Sequence, residues 1–396
     1  MFEVKGKYNI AKVYAKTVEE LAIEQIKQFL DQKFSADSKI AIMPDTHAGA
    51  GCVIGFTQSI KDKVVPNLVG VDIGCGMLVC KVSKEFKFDL AKLDEIVHQY
   101  IPAGHHTRDT EHVYTNEIDL ESIKAPIDIA LAKLSLGTLG GGNHFVELDI
   151  DDNGDHYIVI HSGSRHLGIE VAKHYQNKAI SYHKKKDRSD LIKRMKAEGR
   201  AKEIEAALKD FKDDVVPAEL AYLEGDDFKD YMHDMRIVQK FAEYSRKAML
   251  QEIITKLEIP EEHILDTFCT IHNYINFNDM VLRKGAISLK QDEVAIIPMN
   301  MKDGSLIVKG KGNEDWNYSG PHGAGRLMSR KEARAKLSMA EFVETMKDVY
   351  TTCVTESTID ESPMAYKPMD EIVECIKDTC DVINIIKPIY NFKATE

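Results

Sequence analysis

The chain has 396 residues, 43% of them hydrophobic, and 64 acidic against 52 basic residues give it a formal charge of −12. That balance excludes a protein that holds nucleic acid by general electrostatic attraction, so any RNA contact has to be a local basic patch, screened from distant carboxylates over roughly 8 Å at physiological salt. No apolar run reaches the roughly 20 residues that span a bilayer, no secretory segment is recognisable, and seven cysteines at irregular spacing argue against a disulfide framework. A cytoplasmic enzyme with reduced thiols and no membrane attachment is expected.

In chain order, Val18, Leu21, Ala22, Ile26, Phe29 and Leu30 recur at helical spacing, and residues 39–43 then read as a buried strand entering the Pro44-Asp45 loop. Residues 53–56 and 77–82 also read as strands. They leave Asp72-Ile73-Gly74-Cys75-Gly76 on a glycine turn, where a chain reversal can aim several side chains at one point. Strands are predicted over 145–150, 157–160 and 263–271, each adjoining a histidine: His144, His161 and His272. Between His166 and Leu257 the pattern turns helical and charged. Residues 184–212 are too polar for a core, whereas 229–257 are amphipathic through Tyr231, Met235, Val238, Phe241, Ala242, Met249 and Ile253. This predicts a charged helical insertion at about 170–257 within one domain spanning 1–396. A strand-rich portion over 286–308, a glycine loop around His322, and helices near 331–349 and 370–378 follow. Strands and helices without regular βαβ alternation predict an α+β fold.

Five short clusters, four of them embedded in glycines, carry the chemistry: Asp72 to Gly76, Gly140-Gly141-Gly142-Asn143-His144, His161-Ser162-Gly163-Ser164-Arg165, Ile271-His272-Asn273 and His322-Gly323-Ala324-Gly325-Arg326. Carboxylate, thiolate and imidazole together suit a borderline divalent ion such as Mn, Zn, Fe or Co. Asp72 and Cys75 are close enough in sequence to reach one ion, and a thiolate has lone pairs enough to bridge two. Either residue alone reads equally well as a turn aspartate or a buried thiol, and a lone histidine at a strand end is usually structural. Three such histidines recurring beside an Asp-x-x-Cys turn favour a metal centre. The hydroxyls, backbone N–H groups and guanidinium of Ser162 to Arg165 look like a phosphate nest. The small residues around His322 give its ring access to a bulky electrophile, and a neutral imidazole is a competent nucleophile toward activated phosphorus. Arg326 and Arg330 would pair with phosphates. Further candidates for a basic patch are Lys184, Lys185, Lys186, Arg188 and Lys331, although the lysine run reads equally as a solvated helix face.

Taken in order, and with Met43-Pro44-Asp45-Thr46-His47-Ala48-Gly49 and Ser329-Arg330 added, these blocks resemble the signature motifs of the RtcB family of RNA-splicing ligases over nearly the whole chain. The resemblance implies an enzyme that joins RNA ends using GTP and two Mn ions. Asp72, Cys75, His144, His161 and His272 would be the metal ligands and His322 the residue that GTP guanylylates. Asn143 and Asp45 would assist catalysis. Asn143, Glu147, Asn273, Gly323, Ala324, Gly325, Arg326 and Lys393 would contact the nucleotide, with Glu147 taking the guanine N1–H and exocyclic N–H and Lys393 donating to O6. Arg165 and Arg330 would bind RNA phosphate.

The sequence departs from the family at His166, where glycine is common, and at the residues that follow Lys393. Two rival functions remain open from the residues alone. One is a metal-dependent RNA-end phosphodiesterase that needs the metals but not His322. The other is a metal-bound RNA-binding protein without turnover.

Overall fold

The computed structural model describes residues 1–210 and 216–394. Two sheets carry the architecture. A six-stranded sheet has the order Phe2–Lys5, Ile10–Val13, Ile40–His47, Ile54–Ser59, Val281–Lys284, Asn273–Asn276, and only the pair Ile10–Val13 with Ile40–His47 is parallel. A seven-stranded antiparallel sheet runs Ile264–Ile271, Gly76–Val82, His156–Ser162, Phe145–Ile150, Cys380–Lys393, Gly304–Gly310, Val294–Asn300. The fold is α+β, as the sequence implies.

The seven-stranded sheet is curled. Met77, Val79, Phe145 and Val159 from one half pack against Ile296, Ile307 and Ile386 from the other, and the Ile296 N–H donates to Thr270 Oγ1 at 3.1 Å across the two outermost strands. Residues of alternate parity on the same strands, among them Leu78, Val146, Leu148 and Ile160, face the opposite way into a core shared with Met249, Ile253 and Leu257. The chain passes between the two sheets at His272, which stands between strands Ile264–Ile271 and Asn273–Asn276.

The segment after His166 is helical, chiefly Arg165–Ala197 and Gly225–Leu257, and the second helix is integral to the interior. Tyr231, Met235, Val238 and Phe241 enter the largest core, under the six-stranded sheet, while Met249 and Ile253 enter the core of the seven-stranded one. Part of the 184–212 stretch lies outside the described residues. Strand Cys380–Lys393 went unpredicted because Pro388 reads as a strand breaker. A register shift between Pro388 and Tyr390, opposite Asp149 and Leu148, accommodates the missing N–H. Among the described residues no helix is long and apolar enough to cross a membrane.

Candidate active site and metal centre

Strand register alone brings most of the candidate residues together. In the seven-stranded sheet Gly76 pairs with both Ile271 and Ser162, Phe145 pairs with His161, and Lys393 pairs with Phe145. Cys75, His272, His161, His144 and Lys393 therefore occupy one row at one end of neighbouring strands, where a rigid scaffold fixes their spacing.

Their donor atoms converge. Cys75 Sγ lies 3.3 Å from His161 Nε2 and 3.4 Å from His144 Nε2, His161 Nε2 lies 3.4 Å from His272 Nε2, and His144 Nε2 lies 3.1 Å from Asp72 Oδ2. Two groups result, Cys75-His161-His272 and Asp72-Cys75-His144, with Cys75 common to both. These separations are close to the roughly 3.4–3.8 Å expected between neighbouring tetrahedral ligands at bond lengths near 2.1–2.3 Å. Two of the three second ring nitrogens are tethered, as is usual for metal-binding imidazoles, His144 Nδ1 to the Leu139 carbonyl at 2.8 Å and His161 Nδ1 to the Asn143 carbonyl at 3.2 Å, whereas His272 Nδ1 is buried without a hydrogen-bond partner. The donor set fits a pair of borderline divalent ions.

Electrostatics agrees. Burial, reinforced by the neighbouring imidazoles, holds His161 and His272 well below the ordinary histidine range, so both stay neutral and keep a lone pair for coordination. Burial and the Asp72 charge push the Cys75 thiol well up, a cost that a bound cation reverses. Burial works against ionisation of Asp72, but the hydrogen bond and charge of His144 and the Ser164 N–H outweigh it and keep the carboxyl well below its usual range. The Ser164 N–H donates to Asp72 Oδ1 at 2.9 Å, and a Cβ at position 163 would fall 2.0 Å from that oxygen, so only glycine allows the approach.

His322 stands beside this centre, its ring centroid 4.9 Å from that of His272. Its backbone N–H donates to Asp45 Oδ2 at 3.0 Å, and Nδ1 meets the same oxygen at 2.6 Å. The carboxylate of Asp45, wholly buried at the end of the Ile40–His47 strand, can accept hydrogen bonds but not donate them. It therefore selects the tautomer protonated at Nδ1 and leaves the Nε2 lone pair free. His322, Cys75, His161 and His272 border a cavity of about 340 Å³ that is also lined by Asn143, Glu147, Asn273, Arg326, Arg330 and Lys393.

A tRNA-splicing ligase RtcB family model matches residues 32–130 and 127–394. The chain belongs to the RtcB family. It is 30% identical over 393 residues to the RNA-splicing ligase RtcB of Escherichia coli strain K12, covering 90% of each chain. It is 24% identical to the tRNA-splicing ligase RtcB of Nanoarchaeum equitans over 84% of this chain and 83% of that one, and 24% identical to its namesake in Aeropyrum pernix over the same shares.

Not every RtcB-like residue lies where its motif suggests. Arg165 was expected at an RNA phosphate, but its guanidinium turns inward, donating to Thr138 Oγ1 at 3.1 Å and the Gly104 carbonyl at 2.6 Å, and it does not line the cavity. Its backbone φ of +58° holds it there, and a Cβ at Gly140 would collide with it. Lys393 reaches the cavity but already donates to the Asn143 carbonyl at 3.1 Å and to Glu361 at 2.9 Å. Glu147 accepts from Asn391 at 2.6 Å, and burial lifts its pKa to about 7 against the opposing pull of that bond and of Lys393. Asn273 Oδ1 caps the Gly285 N–H at 2.9 Å while its carbonyl takes the Gly74 N–H at 2.7 Å, so it also braces the Asp72–Cys75 turn. Lys186 pairs with Glu224 at 3.2 Å, which supports reading that lysine as part of a solvated face.

Three residues escaped the motif reading. Glu361 and Tyr366 line the cavity, and Arg246 supports it from behind. Fully buried, Arg246 donates through Nη1 to the carbonyls of Gly74 at 2.9 Å and Ser162 at 2.6 Å, each adjacent to a metal-ligand candidate. The signal was present: Arg246 interrupts the apolar stripe Val238, Ala242, Met249, Ile253, and a charge on the core face of a helix demands a partner.

Proposed function

We propose that this chain, as a single 1–396 ligase domain working in the cytoplasm, is a GTP- and Mn-dependent RNA ligase. It would join RNA 3′-phosphate or 2′,3′-cyclic phosphate ends to RNA 5′-hydroxyl ends in tRNA splicing or RNA repair. The observation that carries this reading is the Asp45–His322 pair, 2.6 Å apart, with the imidazole facing the cavity next to the metal-type donors. An imidazole presented to the cavity with a free Nε2 suits nucleophilic attack on phosphorus.

His322 Nε2 attacks the α-phosphorus of GTP, a P–O bond breaks, and pyrophosphate leaves. The product is a phosphoramidate whose positive ring charge Asp45 balances. An oxygen of the RNA 3′-phosphate, hydrolysed beforehand from any cyclic form, then attacks that phosphorus. The N–P bond breaks, and GMP is transferred to the RNA end. The 5′-hydroxyl finally attacks the 3′-phosphate phosphorus, GMP departs, and the hydroxyl proton goes to solvent. Asn143 offers its amide to the phosphoryl oxygens, Arg326 and Arg330 steady the phosphates, and Glu147 with Lys393 recognises guanine. Gly323, Ala324 and Gly325 leave room for the nucleotide, and Asn273 holds the turn beneath it. Arg165 enters as a support for the His144 loop. Two Mn ions, held by Asp72, Cys75, His144, His161 and His272, would neutralise phosphoryl charge and lower the pKa of an attacking hydroxyl.

The test is labelling with GTP tagged at the α-phosphate. Acid-labile, hydroxylamine-resistant label that requires Mn and vanishes in His322→Ala is expected. Label on a lysine, or joined RNA from His322→Ala, refutes the mechanism. Opening of a cyclic phosphate without GTP and without joining would instead identify a phosphodiesterase, and RNA affinity with no GTP consumption a binding protein.

A further inference from the structure

The carboxylate of Glu361 is coordinated as a bound anion would be. Its Oε1 accepts a hydrogen bond from Arg326 Nη1 at 3.3 Å and forms an ion pair with Arg330 Nη1 at 2.7 Å, and its Oε2 accepts from the Tyr366 hydroxyl at 2.7 Å and forms an ion pair with Lys393 Nζ at 2.9 Å. Each oxygen thus has one hydrogen-bond donor and one cation against it. Three of the four donors are cations, the pattern that otherwise surrounds a phosphate. The side chain is only 3% exposed, yet Glu361 and all four donors line the same cavity as His322.

The donors come from distant parts of the chain. Arg326 and Arg330 flank the His322 loop, Tyr366 follows Glu361, and Lys393 ends the strand Cys380–Lys393. Asp360 takes Arg330 at 2.7 Å and Arg334 at 3.2 Å on the adjoining side. Burial alone would raise the Glu361 pKa, but Lys393, Arg330 and the Tyr366 hydroxyl bring it down to about 2, so the carboxylate is fully charged at neutral pH. A phosphate entering this cluster meets an anion already in place.

We propose that Glu361 is a tethered substitute for a phosphate group, holding Arg326 and Arg330 around one point and excluding free tetrahedral anions from them. The inference rests on reading the cavity as a phosphoryl-transfer site. A free anion must displace the carboxylate unaided. A phosphate belonging to a ligand anchored elsewhere in the cavity competes at a high effective concentration and can take over the cations. Glu361 is thus a specificity-determining and positioning residue.

Sulfate is the probe, because it has the charge and shape of phosphate and its binding needs neither GTP nor His322. Full-length wild type and Glu361→Gln are titrated with sodium sulfate against sodium chloride at matched ionic strength, by calorimetry and by thermal denaturation. Glutamine keeps the size, removes the charge and adds an N–H donor, so sulfate should bind about tenfold tighter or better. The rise in Tm with sulfate should be larger in the variant than in wild type. A purely structural role would lower Tm equally in both salts. Adding Arg330→Met to Glu361→Gln should abolish the gain. Unchanged or weaker sulfate binding by folded Glu361→Gln overturns the proposal. If that variant does not fold, Tyr366→Phe removes one neutral donor from the carboxylate and should tighten sulfate by about threefold; no tightening there also overturns it. A wild-type protein that fails to label with GTP while these sulfate effects hold would refute the ligase chemistry and leave the anion exclusion standing.

Discussion

On the thiolate side of the cavity, Cys75, His161 and His272 are gathered by the register of neighbouring strands, and burial keeps them uncharged. On the arginine side, Arg326, Arg330, Lys393 and Glu361 are all charged and are gathered by one another rather than by a common sheet. The first side is a set of lone pairs suited to a cation, and the second is a set of cations supplied with an anion by the chain itself. Each is adapted to a partner of opposite sign, and His322 stands between them.

The difference can be broken most completely at Cys75, the donor common to both metal-type groups. A hydroxyl is a far poorer ligand for a borderline ion, so Cys75→Ser should bring bound divalent metal to less than about half of the wild-type content and abolish RNA joining, with the far-ultraviolet spectrum unchanged. Elemental analysis checks this, and full metal content in the variant would remove Cys75 from the centre.

A second break acts on the charged side through pH. The Glu361 pKa falls from an ordinary 4.5 to about 2, so its contribution is present above pH 4.5 and is lost as pH falls through about 2. Over that window the unfolded chain binds the extra proton, and wild-type stability should decline by about 3 kcal/mol more than that of Glu361→Gln. Denaturant melts across the acid range measure the difference, and parallel curves would show that the cations do not hold this carboxylate.

The smallest effect sharpens the uncharged side. Arg246→Met should leave the ligands present but loosen the Gly74 and Ser162 carbonyls beside them, weakening metal affinity by about 10–100-fold. Co²⁺ titration followed by the thiolate-to-metal absorption band reads this directly, and an unaltered band and affinity would confine Arg246 to the core.

The same contrast governs what the sequence disclosed. Asp72, Cys75, His144 and His161 were legible because each sits in a glycine motif beside an apolar strand, and His272 because it ends one, and local pattern is enough to place such a residue at a sheet end. His322 was legible for the same reason. Glu361 was not, since its meaning lies in pairing with Lys393 and Arg330, and no local pattern marks a carboxylate as the partner of a distant cation. Arg165 misled because its motif names the chemistry of a guanidinium and not the direction in which a backbone φ of +58° points it. Cys380–Lys393 was hidden by Pro388, which breaks strands on average but not where a register shift absorbs it.

That strand carries a consequence for how the molecule comes into being. It lies between Phe145–Ile150 and Gly304–Gly310, inside the seven-stranded sheet, although the ribosome makes it after all six of the other strands. Until it emerges, the two halves of the sheet present unpaired edges to each other across a gap. Closure then requires contacts between residues more than 200 apart in sequence, such as Lys393 with Phe145, the kind of non-local pairing that slows folding and exposes a nascent chain to aggregation. The cavity beside His322 and the completed curled sheet therefore depend on the same late strand, and a polypeptide interrupted before it would lack both.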